Sequence, residues 1–312
     1  MQDYEVLKEL GSGSFGRVVK VRRNRKDREV LAMKQVKMMS LNAKEKDNAL
    51  NEVRLLASID APNVISYKTA FFQETGNTLC ILMEYADGGD LAGLVQKKKQ
   101  NKFRFSENFI WQVGFDILQG LKTLHDNKVI HRDIKPANIF FVGGVAKLGD
   151  LNVSKVMEGK YASTQTGTPY YTPPEIWNNQ KYDGRVDVWS LGCVLYELAA
   201  LHPPFLAKDF PGLSRKVTQG YYDPLPAGYS HKLTELIRSC LKVNMNQRPT
   251  PRELLKNPVF REMTSKEEGE IELLDTIRCP KMLKNLGKQL PETKSVKRIV
   301  TMKDIDEEEE EQ

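Results

Sequence analysis

The sequence has few cysteines and no long apolar run. Its four cysteines lie far apart and form no Cys-x-x-Cys pair: Cys80, Cys193, Cys240 and Cys279. This spacing indicates buried thiols in a reduced, intracellular protein rather than a disulfide or zinc framework. No stretch of about 18 apolar residues occurs, so the sequence predicts no membrane span. The first residues, MQDYEVLKEL, contain no apolar signal region, and we therefore expect a cytoplasmic protein.

A large excess of one charge is also lacking. The formal net charge is +6, which fits a solvated surface or a protein that handles anionic ligands such as nucleotides. It is too small to indicate nucleic-acid binding. The length of 312 residues, with 40% hydrophobic residues, predicts one large domain or two lobes. Past about Met263 the composition becomes charged and runs into DIDEEEEEQ, which predicts a partly disordered tail.

The hydrophobic pattern changes from strands to helices along the chain. Residues 4–37 predict strands joined by turns, and residues 40–59 predict one helix. CILMEY predicts a buried strand, and the ADGGDL that follows predicts a connector between two lobes. From Glu107 onward helices dominate. VDVWSLGCVLYELAAL, at 186–201, is apolar on almost every side and predicts a helix buried within a large lobe.

LGSGSFGRV contains a Gly-x-Gly-x-x-Gly motif at Gly11, Gly13 and Gly16. The motif alone is weak, because two structural contexts share it. A dinucleotide-binding loop leads from a strand into a helix, and an acid follows about 20 residues later. Here valines resume directly after the loop, and Lys34 stands at that distance. We interpret the motif as a strand–turn–strand hairpin, whose backbone amides can fold over phosphates that a lysine on the next strand also reaches.

Lys34 lies in LAMK between apolar neighbours, which points its side chain inward. A buried ammonium group needs a counter-charge. Glu52, in the predicted helix that follows, is the candidate partner. The alternative is that both are solvated surface charges.

HRDIKPANIF, at 131–140, places a base, a lysine and an amide in one short loop. Asp133 can accept the proton of an attacking hydroxyl, and Lys135 can neutralise charge on a transferring phosphoryl group. Asn138 and Asp150 offer oxygen atoms of the kind that magnesium prefers, on either side of a predicted hairpin through two glycines. For His131, we favour a packed structural role over metal binding or base catalysis.

At these motifs the chain resembles the eukaryotic protein kinases, over about residues 4–262. The glycine loop, LAMK, the helix glutamate, HRDIKPAN, GDLN, TPPE and DVWSLGC occur in the family's order. The resemblance implies an α+β, bilobal protein kinase fold in residues 1–262. A β-rich N-lobe with one regulatory helix (1–83) would be joined by a hinge (84–90) to a mainly helical C-lobe (91–262), with a charged C-terminal tail at 263–312.

The resemblance also implies the ligands and the residue roles. ATP would be the substrate and Mg²⁺ the cofactor, with Mn²⁺ as a substitute metal. Lys34 would bind the α- and β-phosphates with Glu52 as its partner, Asp133 would be the catalytic base, and Asn138 and Asp150 would bind the metal. The adenine would lie between apolar walls beside the gatekeeper Met83, and the implied contacts are Leu10, Gly11, Ser12, Gly13, Ser14, Phe15, Gly16, Val18, Ala32, Glu84, Ala86, Asp90 and Phe140.

Two features resemble the serine/threonine class of these kinases. Lys135 completes HRDxKxxN, and Thr168 in GTPYY occupies the position where that class uses a threonine hydroxyl to bond the catalytic Asp and Lys. The resemblance implies that the acceptor is a Ser or Thr of a protein substrate.

Several segments resemble the NIMA-related (NEK) kinases more specifically. They are EYADGGDL, GTPYYTPPEIW, the small Gly149 and the Phe140 beneath the nucleotide. LLDTIRCPKMLKNLGKQLP resembles the short tails of protist members. The resemblance implies a role in the cell cycle, at the cytoskeleton, centrosome, basal body or cilium.

The segment between Asp150 and Glu175 resembles an activation segment. Thr164 matches the position that is phosphorylated in several relatives, and a phosphate there would add about −1.5 to −2 charges. The phosphate would be added by autophosphorylation or by an upstream kinase. Arg132 and Lys155 are the cations expected to bind it. The alternative is that Thr164 is an ordinary polar loop residue.

Departures from the family pattern are few. Pro173 stands for Ala in the APE motif, and Glu175 is expected to pair with Arg248 as it does in the family. In LGDLNVSK, Leu151 and Asn152 stand for Phe and Gly. Leu151 can still supply an apolar plug, and Asn tolerates left-handed conformations better than other non-glycine residues. We therefore expect an intact metal site with a stiffer hinge.

Three other functions compete with this interpretation. A catalytically inactive kinase-fold scaffold usually lacks one of the residues that are all present here. A small-molecule kinase would lack GTPYY, TPPE and DVWSLGC. An adaptor that acts through the tail would have only about 50 residues to do so. We expect no nucleic-acid or membrane partner, and the sequence leaves the oligomeric state open.

Overall fold

A computed structural model of the chain describes residues 3–13, 16–24, 28–40, 42, 46, 50, 53–54, 57–73, 77–150 and 169–260. One compact unit, Met1–Ile271, contains all of them. No helix within these ranges is long and apolar enough to cross a bilayer. The predicted domain boundary at residue 262 and the predicted tail lie outside the described residues.

A five-stranded antiparallel sheet forms the N-lobe. Its strands are β1 (Tyr4–Gly13), β2 (Gly16–Arg23), β3 (Val30–Lys37), β4 (Tyr67–Phe72) and β5 (Thr78–Glu84), in the order β1-β2-β3-β5-β4. β1 pairs with β2 across the glycine segment, with Gly13 opposite Gly16. The described residues after the glycines form a strand rather than a helix, as the strand–turn–strand interpretation predicts.

The sheet separates two apolar clusters, one on each of its faces. Because side chains alternate along a strand, one face of β2, β3 and β5 carries a small cluster around Val19, Met33 and Leu82. The opposite face carries Val18, Lys34 and Ile81, which lie directly across from one another. Ile81 belongs to the large cluster that continues into the C-lobe. Lys34 therefore projects on the side that faces the second lobe.

The predicted helix at 40–59 is described at a few positions. The described residues Lys46, Leu50, Val53–Arg54 and Ala57–Ser58 are helical. Leu50 and Val53 pack against the large cluster. A 3-10 turn at Met38–Ser40 precedes these residues.

Helices dominate the C-lobe, as the sequence predicts. They are α1 (Leu91–Gln100), α2 (Glu107–Asp126), α3 (Pro174–Trp177), α4 (Arg185–Ala200), α5 (Phe210–Gln219), α6 (His231–Cys240) and α7 (Pro251–Leu254). Every residue from Val186 to Ala199 in α4 is buried, which confirms the helix predicted at 186–201. α2 packs against α4, so the two longest helices form the centre of the lobe.

A β-hairpin connects the helical core to the cleft. It consists of β6 (Ile139–Val142) and β7 (Val145–Leu148), and Gly143 and Gly144 form its turn with φ of 56° and 88°. Two successive left-handed residues fit a tight hairpin turn that glycine adopts without strain. The hairpin predicted through these glycines is confirmed, and Leu148 at its end pairs with Val64.

The three cysteines that the structure describes are buried, as the sequence predicts. Cys80, Cys193 and Cys240 are buried and free. Burial raises the pKa of each of these thiols, to about 12 for Cys240, so they remain protonated at neutral pH. Cys279 lies outside the described residues.

Candidate active site

The loop between α2 and β6 brings three predicted site residues together. The Asp133 carboxylate accepts hydrogen bonds from Lys135 Nζ and from Asn138 Nδ2, each at 3.0 Å. Asn138 Nδ2 also donates to the Asp133 backbone carbonyl at 2.8 Å. The base, the lysine and the amide expected from HRDIKPAN therefore lie within hydrogen-bonding distance of one another. A 3-10 turn at Pro136–Asn138 makes this short loop possible.

Asp187, near the start of α4, anchors this loop from below. Its carboxylate is fully buried and accepts from the backbone amides of His131 and Arg132 at 2.9 and 2.7 Å. His125 Nε2 lies 2.8 Å from the same carboxylate. Arg132 has a φ of 66°, a left-handed conformation that is costly for a non-glycine residue and that these bonds hold in place. Sequence analysis missed Asp187, although an acid inside an otherwise apolar helix needs partners and was therefore a signal.

Asp150 lies two residues beyond the end of β7. Its Oδ1 lies 3.1 Å from Lys34 Nζ, so an ion pair joins a residue of the N-lobe sheet to a residue of the C-lobe. Asp150 has a φ of 53°. His131 Nε2 lies 3.0 Å from the carbonyl oxygen of the preceding Gly149, and His131 is 1% exposed. The packed structural role predicted for His131 is confirmed, and it positions the backbone next to Asp150.

Gly149 is required by the close approach of Phe140. A Cβ atom at residue 149 would lie 2.7 Å from two ring carbons of Phe140 and 3.2 Å from Cγ1 of Ile65. Phe140 is the predicted floor beneath the adenine. The absence of a side chain at Gly149 therefore leaves the space that the Phe140 ring occupies.

We expect Gly149→Ala to lower the free energy of unfolding by about 1–3 kcal/mol, because the added methyl group overpacks this contact. Displacement of the Phe140 ring should also weaken ATP binding. Denaturant unfolding and calorimetric titration measure the two effects. Gly93→Ala is the control, since a Cβ there would meet only Asp90 Oδ1, at an ordinary 3.6 Å. Equal stabilities of the two variants would contradict this account.

The remaining predicted nucleotide-binding residues belong to the N-lobe sheet and the hinge. Lys20, Ala32 and Met83 lie directly across from one another. They are two residues along their strands from the row of Val18 and Lys34 and therefore share its face. Leu10, Gly11 and Ser12 belong to β1, and Gly11 pairs with Val18. A Cβ at Gly16 would lie 1.9 Å from the backbone oxygen of Gln35, so this position admits only glycine.

The hinge contains two contacts that sequence analysis did not predict. The Glu84 carboxylate accepts from Lys147 Nζ at 2.8 and 2.9 Å and from the Ser66 amide at 2.7 Å. Asp90 Oδ1 accepts from the Gly93 amide at 2.8 Å and so caps the N-terminus of α1. Asp90, predicted to contact the ribose, therefore also has a structural role. Ala86 precedes the turn that leads to Asp90.

The predicted pair of Glu175 and Arg248 is present in the C-lobe. Arg248 donates to the two Glu175 oxygens at 2.8 and 3.1 Å and is 2% exposed. It also donates to the carbonyl oxygens of Arg185 and Lys242 and lies over the Trp189 ring at 5.1 Å. Pro173 is tolerated because it occupies the N-cap position of α3, which needs no amide hydrogen.

A second buried pair lies beside it. Tyr171 OH donates to Glu197 Oε2 at 2.5 Å, and the Tyr171 carbonyl accepts from Ser190 Oγ at 2.8 Å. Burial raises the pKa of Glu197, and the hydrogen bond from Tyr171 opposes that change. Burial and the neighbouring Glu197 charge raise the pKa of Tyr171.

The raised pKa of Glu197 predicts a pH dependence of stability. A carboxyl group whose folded-state pKa exceeds its ordinary 4.5 stabilises the fold below that pH, and the contribution is lost as pH rises through the folded-state pKa. We expect Glu197→Gln to remove this loss in unfolding experiments over a range of pH. Glu253→Gln is the control. Hydrogen bonds from Thr250 lower the pKa of Glu253, so its contribution to stability is lost as pH falls instead of as pH rises. An unchanged pH profile in Glu197→Gln would contradict the assignment.

The other predicted site residues lie outside the described residues. These are Ser14 and Phe15 of the glycine loop, Glu52, Leu151, Asn152, Lys155, Thr164 and Thr168. The Lys34–Glu52 pair and the Thr164 phosphosite remain predictions. Arg132, predicted to bind the phosphate, has its guanidinium 5.4 Å from the centre of the Tyr182 ring.

The residues near Asp133 fit a hard divalent cation. Asn138 uses its Nδ2 for Asp133, which leaves its side-chain oxygen as the atom that can bind a metal. Within the described ranges no group of three His, Cys, Asp or Glu side chains could hold a metal ion. One carboxylate and one amide are nevertheless sufficient for magnesium when substrate phosphates complete its coordination.

Comparison with known families agrees with this geometry. Residues 4–260 match the protein kinase domain family. The chain belongs to the protein kinase family. The predicted bilobal α+β fold is thereby confirmed, since this kinase has the five-stranded sheet and the helical lobe described above.

The kinase is similar to several NEK proteins. It is 38% identical over 275 residues to human Nek2, covering 86% of this chain and 62% of that protein. It is 39% identical over 260 residues to a probable nek2 of Dictyostelium discoideum, covering 82% and 62%. The G2-specific protein kinase fin1 of Schizosaccharomyces pombe is 35% identical over 297 residues, covering 88% and 41%. These relatives confirm the predicted NIMA-related resemblance. The kinase spans about three fifths of the length of the two Nek2 proteins.

Proposed function

We propose that this kinase transfers the γ-phosphoryl group of ATP to a Ser or Thr hydroxyl of protein substrates. The observation that carries the proposal is the geometry of Asp133, which lies 3.0 Å from both Lys135 and Asn138. The Lys34–Asp150 contact places the predicted phosphate-binding lysine beside the predicted metal-binding acid. The relatives are named serine/threonine-protein kinases, which supports the same class.

The side chains can divide the reaction between them. Asp133 would orient the acceptor hydroxyl and take its proton, and Lys135 would neutralise charge on the transferring group. Asn138 and Asp150 would hold the divalent metal, for which we propose Mg²⁺ with Mn²⁺ as a substitute. A divalent metal held there would offset the negative charge of the nucleotide phosphates. Thr168 would bond Asp133 and Lys135 from the activation segment.

Lys34 would change its role when the nucleotide binds. It contacts Asp150 in the structure and would reach the α- and β-phosphates with Glu52 as its second partner. The adenine would lie between Leu10, Val18 and Ala32 above and Phe140 below, with Met83 as the gatekeeper beside it. The backbone of Glu84–Ala86 would bond the adenine edge.

An inactive scaffold is the alternative, and the geometry disfavours it. Scaffolds with this fold typically lose the β3 lysine, the catalytic aspartate or the metal-binding aspartate. All three are present in the sequence: Lys34 contacts Asp150, and Asn138, which donates to Asp133, accepts from the amide of Gly149, the residue before Asp150, at 3.0 Å.

The deciding experiment measures magnesium-dependent transfer of labelled phosphate from ATP to a generic protein such as casein. We expect transfer by the full chain, none after chelation of the metal, and none in Asp150→Ala. Absence of transfer in every phosphorylation state would favour the scaffold. Transfer that survives Asp150→Ala would contradict the metal assignment alone.

We expect phosphorylation of Thr164 to raise activity, because Arg132 and Lys155 can pair with the added charge. The measurement compares the initial rates of the unmodified chain and of Thr164→Ala after both are preincubated with ATP. A lower rate in the variant is the expected result. Equal rates would show that Thr164 is an ordinary polar loop residue.

The cellular role rests on the relatives alone. One of them is named a G2-specific protein kinase, and we propose that this kinase acts in the cell cycle. Its partners would be protein substrates and an upstream kinase or a second copy of itself. We propose a cytoplasmic protein that acts at the cytoskeleton, centrosome, basal body or cilium.

A further inference from the structure

A dense group of cations lies at the end of α1. Five of the eight residues from 97 to 104 are cationic, and residues 91–106 contain no acid. We call Lys97, Lys98, Lys99, Lys102 and Arg104, together with Phe103, the basic patch. Lys98 is half-buried and the others are exposed, and the Phe103 ring is 66% exposed.

Folding explains only part of this arrangement. Lysines in the last turn of a helix interact favourably with its negative end, which accounts for Lys97, Lys98 and Lys99. Lys102 and Arg104 lie beyond the helix, and like charges so close together repel one another. None of the five cations forms an ion pair with another described residue. An exposed aromatic ring among them adds no packing.

The nearest acid along the chain does not neutralise the basic patch. Glu107 accepts hydrogen bonds from Trp111 Nε1 at 3.0 Å and from the Ser230 amide at 2.7 Å, and also from the Ser230 hydroxyl. These bonds direct its carboxylate to the start of α6. The charge of Lys99 also opposes the raised pKa of the buried Glu197, but no ion pair joins these two described residues. The exposed cations of the basic patch therefore remain accessible to an external anion.

Two contacts hold the basic patch in place. Arg104 donates to the Ala227 carbonyl at 3.2 Å, and Lys98 Nζ lies 5.6 Å from the centre of the Phe105 ring. Phe105 is buried in the large cluster. The patch is thus presented by an ordered part of the C-lobe, and a ligand would lose less conformational freedom in binding to it.

The helix that ends in the basic patch contacts the turn that carries a predicted site residue. α1 packs against the Pro136–Asn138 turn, which carries the predicted metal-binding Asn138. Asp90, the N-cap of α1, is the last residue of the hinge. Ten helical residues extend about 15 Å, so a peptide segment of about five extended residues spans the length of α1.

We propose that the basic patch binds an acidic segment of a protein substrate, a few residues from the acceptor Ser or Thr; the substrate role rests on the proposed function. Carboxylates of the peptide would pair with the lysines, and an apolar side chain would cover Phe103. A nucleic acid would need a longer cationic surface that follows the phosphate backbone. A membrane would need a larger apolar face beside the cations.

Binding is tested without catalysis. Fluorescence anisotropy measures the Kd of the full chain for a labelled glutamate-rich peptide, with the glutamine version of the peptide as a blank. The triple variant Lys97→Glu, Lys99→Glu, Lys102→Glu should weaken binding by about tenfold, since each exposed ion pair contributes modestly. The matched control, Lys208→Glu, Arg215→Glu, Lys216→Glu on and before α5, changes net charge equally and should leave the Kd unchanged. A triple Lys→Gln variant at the patch keeps the test valid if the Glu variant unfolds.

Each other outcome would overturn the proposal. Equal weakening in the two triple variants would show a general charge effect. Tighter binding of single-stranded RNA or of phosphatidylserine vesicles than of the peptide would show that the partner is a nucleic acid or a membrane surface instead of an acidic protein segment. The kinase carries an acidic run of its own at 304–311, so Glu307–Glu311→Gln is measured in parallel. A large gain in peptide affinity in that variant would identify the acidic run, rather than a substrate, as the occupant.

Kinetics then separate this proposal from the proposed function. The patch variant should raise KM for a peptide with an acidic segment beside the acceptor and leave kcat unchanged. Neither constant should change for a neutral peptide. Transfer without this difference would contradict the docking surface alone, whereas peptide binding without any transfer would contradict the kinase activity alone.

Discussion

Replacing Asp133 with asparagine is expected to lower kcat by about 10²- to 10⁴-fold, the range for loss of a general base. Asparagine has nearly the same shape, and its side-chain oxygen can still accept from Lys135 and Asn138. The loop should therefore keep its conformation. KM for ATP should change little, because Asp133 is assigned to the acceptor hydroxyl rather than to the nucleotide.

Steady-state phosphate transfer at several ATP concentrations measures both constants. Asp209→Asn is the matched control, because Asp209 is an exposed helix cap at α5 and asparagine caps helices equally well. It should leave both constants unchanged. A kcat for Asp133→Asn close to that of the unmodified kinase would show that Asp133 is not the base.

Replacing Arg248 with methionine is expected to lower the free energy of unfolding by about 3–5 kcal/mol. Glu175 is 3% exposed, so its charge would remain in the interior without a partner. The carbonyl oxygens of Arg185 and Lys242 would also lose their donor. Denaturant unfolding of the full chain measures the change.

Two further variants identify the cause of this loss. Adding Glu175→Gln to Arg248→Met removes the isolated charge and should recover part of the stability, while the two unpaired carbonyl oxygens keep the recovery incomplete. Arg238→Met breaks an exposed pair with Glu235 and should change stability by less than about 1 kcal/mol. If Arg248→Met were no more destabilising than Arg238→Met, the buried pair would contribute little to this fold.

Much of the site could be predicted because its residues lie close together in the chain. Asp133, Lys135 and Asn138 are separated by five residues at most, so their identities and spacing already limit how they can meet. The glycine hairpin was predictable for a similar reason, since valines on both sides of the glycines leave a strand as the natural continuation. In both cases local geometry decides the structure.

Contacts between distant segments were not predictable in the same way. Lys34 meets Asp150 across 116 positions, and Asp187 reaches His131 across 56. Each of these two contacts forms only after the packing of other residues has brought the two chain segments together. Glu84 gave no sequence signal for its bond to Lys147, because charged residues are normally solvated and only the fold brings these two together.

The sequence by itself determined which chemical groups the kinase has, the order of its motifs and the strand and helix pattern that carries them. Only the tertiary structure decided that Asp187 holds the backbone of the catalytic loop, that Gly149 makes room for Phe140, and that the cations of the basic patch form no ion pair with another described residue. The physical reason is that hydrophobic periodicity and turn geometry act over a few residues. Burial, charge pairing and close packing depend on segments far apart in the chain, and these meet only when the whole domain has folded.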